Sequence, residues 1–142
     1  MLCIPHPDRV KFLRGTESMQ TIFIPRGSSV FLLDDDDFRI RWFLERLSSL
    51  TVAKEAPDAI AIFDSYPKFD FIFLDHDLGR FTGTEGDGLQ VAQHLASKGF
   101  TGKNIFIHSH NTHRAGEMYK ALKKAKLMPW GRFEIESAYT NF

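Results

Sequence analysis

Short unbroken apolar runs alternate along the chain with segments whose apolar residues recur every three or four positions. Val30-Phe31-Leu32-Leu33, Phe71-Ile72-Phe73-Leu74 and Asn104-Ile105-Phe106-Ile107 are runs of the first kind. Their length and their β-branched and aromatic content predict strands buried on both faces. Thr51-Val52-Ala53 reads as a weaker strand, and Phe133-Glu134-Ile135 as a fifth. The intervening segments have helical spacing. Ile40, Phe43, Leu44 and Leu47 form one apolar stripe, and Ala59, Ile62, Phe63 and Tyr66 a second. Leu89, Ala92, Leu95 and Ala96 form a third, and Ala115, Met118, Tyr119 and Leu122 a fourth.

The ends of these helices carry their own signals. One aspartate of the run Asp34-Asp35-Asp36-Asp37 caps the first helix, and Pro57 suits the opening turn of the second. Asp87 and Gly99 bracket the third. Asn111 or Thr112 opens the fourth, whose lysines at 120, 123, 124 and 126 favour its C-terminal dipole.

Strand and helix in alternation predict right-handed βαβ units and a parallel sheet. The expected fold is a doubly wound, flavodoxin-like α/β domain with five parallel strands and helices on both faces. Counted from the Val30 strand, the sheet order is 2-1-3-4-5. This domain is expected over residues 29–142. Residues 1–28 read as an N-terminal extension with a short strand at Thr21-Ile22-Phe23-Ile24, followed by a turn at Pro25 to Ser29.

Composition narrows the class. The 142 residues suit one domain, and 43% hydrophobic content with 14 phenylalanines supplies a core. Zero formal net charge argues against strong non-specific nucleic-acid binding. The single cysteine, Cys3, excludes an intrachain disulfide and a cysteine-based zinc site. No apolar run reaches the length of a membrane span, and the first residues lack a signal-peptide pattern, so a cytoplasmic protein is expected.

The chemistry lies where the apolar runs stop. Leu33 runs into Asp34-Asp35, Leu74 into Asp75-His76-Asp77, and Ile107 into His108-Ser109-His110-Asn111. Open α/β sheets bind ligands at the carboxyl ends of their strands, so these tips are expected to converge. Asp34, Asp35 and Asp75 together crowd negative charge and call for a hard cation, Mg²⁺ first, with Mn²⁺ or Zn²⁺ as alternatives. The competing reading makes the Asp run a solvated turn and cap. Asp75 suits either a nucleophile or a metal ligand. Asp77 suits a supporting role or the start of a loop.

His76 and His108 are candidates to move protons, or else they hydrogen-bond neighbouring loops. His108 and His110 also suit a transition-metal pair. Ser109, Asn111 and Arg114, at a helix start, are candidates to bind phosphate. Arg39 suits a phosphate clamp or a solvent-facing side chain. The glycines at 79, 83, 86 and 88 form no dinucleotide fingerprint and read as a long loop or a lid. His110-Asn111-Thr112 matches half of a two-histidine phosphoesterase motif, but no second copy exists.

Leu32-Leu33-Asp34-Asp35, Phe69 to Asp75 and Asp87-Gly88-Leu89-Gln90-Val91-Ala92 resemble the receiver domain of two-component response regulators, over residues 30 to about 137. Met128-Pro129-Trp130-Gly131-Arg132 lacks the Lys-Pro pair of ordinary receivers, whose Lys touches the phosphoryl group. Leu33-Asp34-Asp35 with Arg39, Leu74-Asp75-His76-Asp77-Leu78-Gly79, and His108-Ser109-His110-Asn111 with Met118 resemble the divergent cyclic-phosphate-processing receiver-like family.

That resemblance implies a divalent-metal phosphate site and a metal-dependent phosphoesterase acting on a cyclic phosphate or another phosphoester. Its partner would be a phosphate-containing small molecule or nucleotide. Two rival functions remain: a signalling receiver phosphorylated on Asp75, and a non-catalytic nucleotide- or protein-binding module.

Overall fold

The structure is a computed structural model that describes residues 19–66, 68–75, 88–108, 117–118 and 120–138. The central strands are β2 (Val30–Leu33), β4 (Phe71–Leu74) and β5 (Ile105–Ile107), with β3 (Thr51–Ala53) and β6 (Lys126–Leu127) at the edges. They form a five-stranded sheet of order β3-β2-β4-β5-β6, and every pairing is parallel. A separate two-stranded parallel ribbon joins β1 (Gln20–Pro25) to β7 (Phe133–Ala138), with Ile22 opposite Ile135.

Successive strand residues point to opposite faces, and this alternation divides the core in two. Phe31, Leu33, Ile72, Leu74, Ile105 and Ile107 face α2 (Ala56–Ser65), α3 (Gly88–Ser97) and the segment carrying Met118 and Leu122. Val30, Leu32, Phe73 and Phe106 face α1 (Asp37–Leu44) and the ribbon, through Ile40, Phe43, Ile22, Ile24, Phe133 and Ile135. Because β2 is flanked on both sides and covered on both faces, all four of its residues are buried.

The parallel sheet with helices on both faces agrees with the fold read from the sequence, but its fifth strand is elsewhere. The edge of the sheet is the two-residue β6, both residues of which are exposed. Phe133-Glu134-Ile135 belongs to the ribbon instead. Its alternation explains this: Phe133 and Ile135 are buried while Glu134 points away, the pattern of a strand covered on one face only.

The helix stripes are also narrower than their spacing suggests. Leu44 and Tyr66 are exposed, and in α3 Val91 takes a core place where Leu89 and Ala96 are only partly buried. Asp36 is the cap of α1, accepting a hydrogen bond from the Arg39 backbone N–H at 3.0 Å. Asp37 lies exposed beside Lys54.

Gly102 closes the turn that leads into β5. Its φ is +107°, and a Cβ there would run into the backbone nitrogen of Ala125. Strained backbone and clash combine, so Gly102→Ala is expected to lower stability by about 2–4 kcal/mol, read as a reduced urea midpoint with an unchanged m-value.

Candidate functional site

Three ladder hydrogen bonds continue the sheet one residue past its strands. Asp34 N–H donates to Ala53 O, Asp75 N–H to Leu33 O, and His108 N–H to Leu74 O, at 3.0–3.1 Å. Leu33 is in register with Leu74, and Leu74 with Ile107. Asp34, Asp75 and His108 are therefore the next residues of three adjacent strands, side by side at the carboxyl end of the sheet. Period-two alternation places all three on the α1 face, with Leu32, Phe73 and Phe106.

α1 supplies the counter-charge. The Asp36 cap begins the helix so that Arg39, in its first turn, returns over the strand tips. Arg39 Nε donates to Asp34 Oδ2 at 2.8 Å, and Nη2 to Asp34 Oδ1 at 3.0 Å. The same Nη2 lies 3.2 Å from Asp75 Oδ2. Arg39 is thus not a solvent-facing side chain; it is bonded to two of the predicted site carboxylates.

Asp34 has no exposed surface, and all four of its acceptor positions are filled. Oδ2 accepts from Arg39 Nε and from His108 Nε2, the latter at 2.8 Å. Oδ1 accepts from Arg39 Nη2 and from the Asp36 backbone N–H at 2.9 Å. A carboxylate offers about four lone-pair sites, so this one is saturated from within the protein. Burial by itself opposes the charged form, but the bonds from His108 and Arg39 outweigh it and hold the carboxyl at a pKa of about 2.

Against this acceptor, His108 Nε2 must carry the hydrogen. Its ring is fully buried, near Phe43, Phe73 and Trp130. Geometrically His108 is a support for Asp34, with no surface open to solvent on its side chain. For Arg39, burial pulls against its charge, and the bond to Asp34 more than restores it.

The outer part of the site is Asp35 and Asp75. Together with Asp34 they present oxygens that all lie within 4.8 Å of one another. Asp75 is nearly buried and Asp35 half-buried. Hard carboxylate oxygens at this spacing fit Mg²⁺ or Mn²⁺. An ion here would meet Asp34 in competition with its four hydrogen bonds, so Asp35 and Asp75 would be its main donors. The structure therefore brings together Asp34, Asp35, Asp75, His108 and Arg39. His76, Asp77, Ser109, His110, Asn111, His113 and Arg114 lie outside the described residues, as do Asp87 and the glycines at 79, 83 and 86.

The sequence reading did not single out the rings beside the site. Trp130 stands 5.9 Å from the Arg39 Cζ, and Trp42 meets Trp130 edge-on at 5.0 Å. Phe38 and Trp42, four residues apart on α1, were the available signal.

Comparison with known proteins agrees with this geometry. Residues 29–124 match the family described as the cyclic-phosphate processing receiver domain. The chain belongs to that family. The match stops before β7, and it includes Asp34, Asp35, Arg39, Asp75 and His108. No curated protein matches the chain. Among solved structures, a fusion carrying a yeast Spc42 trimeric coiled-coil segment is similar over 72% of this chain and 67% of that one, at 15% identity and a TM-score of 0.58. At that identity the likeness speaks to the fold alone. Among the described residues, no helix of this cyclic-phosphate processing receiver domain is long and apolar enough to cross a membrane.

The depressed Asp34 pKa makes stability depend on acid. The folded-state value lies below that of an unfolded aspartate, so the contribution is whole above about pH 4 and fades as the pH falls toward 2. A displacement of that size corresponds to about 2 kcal/mol. Denaturant unfolding at several pH values should show this loss. Asp34→Asn should remove most of it and cost about 3–5 kcal/mol at neutral pH, because Arg39 and His108 lose their partner.

Proposed function

We propose that the acidic end of the sheet hydrolyses one ester bond of a cyclic phosphate with the help of a divalent cation. The observation that carries this reading is the crowding of three carboxyl groups within 4.8 Å at the strand tips, two of them bonded to Arg39. A phosphate anion meets such a surface unfavourably unless positive charge is added between them. Asp35 and Asp75 would hold the ion, which supplies polarisation of the phosphate oxygens and a more acidic water.

The protein's own groups prepare the site for this. Asp34 is the fixed point, locked by four hydrogen bonds. Arg39, held by Asp34, sets how the Asp75 carboxylate is turned by bonding its Oδ2. His108 acts through Asp34 as a positioning residue. In the reaction the water oxygen bonds to phosphorus, one ester P–O bond breaks, and the departing oxygen takes up a proton. The product is a phosphomonoester. His76, which follows Asp75 directly, is the candidate for handling that proton.

A second reading is favoured by one contact. Asp75 is the first residue past β4 and carries the Arg39 guanidinium at 3.2 Å, a cation that would meet the charge of a phosphoryl group on this carboxylate. Asp75 would then accept a phosphoryl group itself.

The two are separated by experiment. Hydrolysis of 2′,3′- and 3′,5′-cyclic nucleotides is expected with Mg²⁺ or Mn²⁺, with a loss of at least about 100-fold in kcat/KM for Asp75→Ala. Equal rates for wild type and Asp75→Ala would end the hydrolase reading. A mass gain of one phosphoryl group from acetyl phosphate, abolished in Asp75→Asn, would establish the second. Saturable nucleotide binding with neither turnover nor labelling would leave a binding module.

A further inference from the structure

Beside the acidic site lies a cavity of about 290 Å³ whose walls are rings: Phe38, Trp42, Trp130 and Phe133, with Met19 and Glu134 at its rim. This volume is near the lower end of small-molecule sites, about 300 Å³. Most of these rings have structural work. Trp42 packs edge-on against Phe43, Trp130 and Phe133, and Phe133 is buried in the core. Phe38 is 75% exposed and, among the described residues, packs on no other ring. Met19 is also exposed. With the other lining rings Phe38 makes a contiguous aromatic surface, the kind a flat ligand covers.

The cavity and the carboxylates are neighbours. The Trp130 ring lies 5.9 Å from Arg39 Cζ, and the same guanidinium is bonded to Asp34 and Asp75. One guanidinium therefore separates the phosphate end from the ring-lined end. One lining residue, Glu134, is polar and ion-paired. Arg46 lies over the Trp42 ring at 3.9 Å, and its Nε donates to Glu134 Oε1 at 2.6 Å. Burial works against the charge on Glu134, but the Arg46 bond keeps it ionised below the usual range.

We propose that this cavity seats the nucleobase, so that the substrate is a cyclic nucleotide and not a cyclic phosphate lacking a base. The inference rests on the phosphate chemistry proposed for the adjoining carboxylates. A base offers a flat π-face to the rings and polar edges to the Glu134 carboxylate, which an aliphatic side chain of a protein partner does not. A ribose would be the spacer between a base at the rings and a phosphate at the carboxylates on the other side of Arg39.

The chain has two tryptophans, Trp42 and Trp130, and both line the cavity. Intrinsic fluorescence therefore reports on this place. With Mg²⁺ present, 2′,3′-cyclic AMP should give a saturable change that glycerol 1,2-cyclic phosphate does not. Phe38→Ala, at an exposed position that leaves the core intact, should raise KM for the nucleotide about tenfold and shrink its advantage over the glycerol compound. Thermal unfolding of the variant checks its fold. Equal kcat/KM for the two compounds, with the fluorescence unmoved, would overturn the base seat while leaving the hydrolase intact. A saturable, Phe38-dependent change without turnover would uphold the base seat and remove the hydrolase. A fluorescence change with the glycerol compound as large as with the nucleotide would also overturn it.

Discussion

The organisation of the site follows from one buried carboxylate. An ion placed where Asp34 sits is costly unless every lone pair is met, because the surrounding protein solvates charge poorly. Here the four partners come from three places: the turn at Asp36, the α1 side chain Arg39, and His108 at the end of β5. To satisfy Asp34 the chain must fix the start of α1, the rotamer of Arg39 and the ring of His108 at once. Arg39 then extends the constraint to Asp75 on β4. A geometry held in this way is fixed by the protein's own groups.

The convergence of these groups was legible in the sequence because it depends on strand length and order. Three apolar runs each end in an ionisable residue, and a parallel sheet with those strands adjacent aligns the ends. The remainder depends on distances that spacing does not encode. Arg39 follows Asp34 by five positions, and whether it faces water or the carboxylate turns on α1 beginning at Asp37. That in turn depends on which of four consecutive aspartates is the cap. His108 carried the opposite ambiguity. A histidine at a strand end suits proton transfer on its chemistry alone, but its ring lies beneath Asp34, enclosed by Phe43, Phe73 and Trp130.

The fifth strand escaped the sequence reading for a related reason. β6 has two residues, both exposed, and an edge strand that short leaves no apolar pattern to find. Phe133-Glu134-Ile135 has a clear pattern, but alternation marks a strand with one covered face and does not say which sheet it joins. The partner, β1, lies about a hundred residues earlier in the chain. Together they cover the α1 side of the core, and Phe133 on β7 forms part of the aromatic wall near the site.

This placement gives α1 a double role. Within two turns it carries the Asp36 cap, Phe38, Arg39 and Trp42. The helix period sends Arg39 toward the strand tips and Phe38 and Trp42 toward the ribbon. Charge on one side and rings on the other are therefore set by a single rigid element, itself anchored through Arg39 to Asp34. Low polarity around His108 strengthens that anchor, since a hydrogen bond to a carboxylate gains from being shielded. A shift of α1 would move the guanidinium at the carboxylates and the rings at the cavity in the same step. For a ligand with an anionic end and a flat end, the two contacts are then not independent: ordering α1 for one orders it for the other.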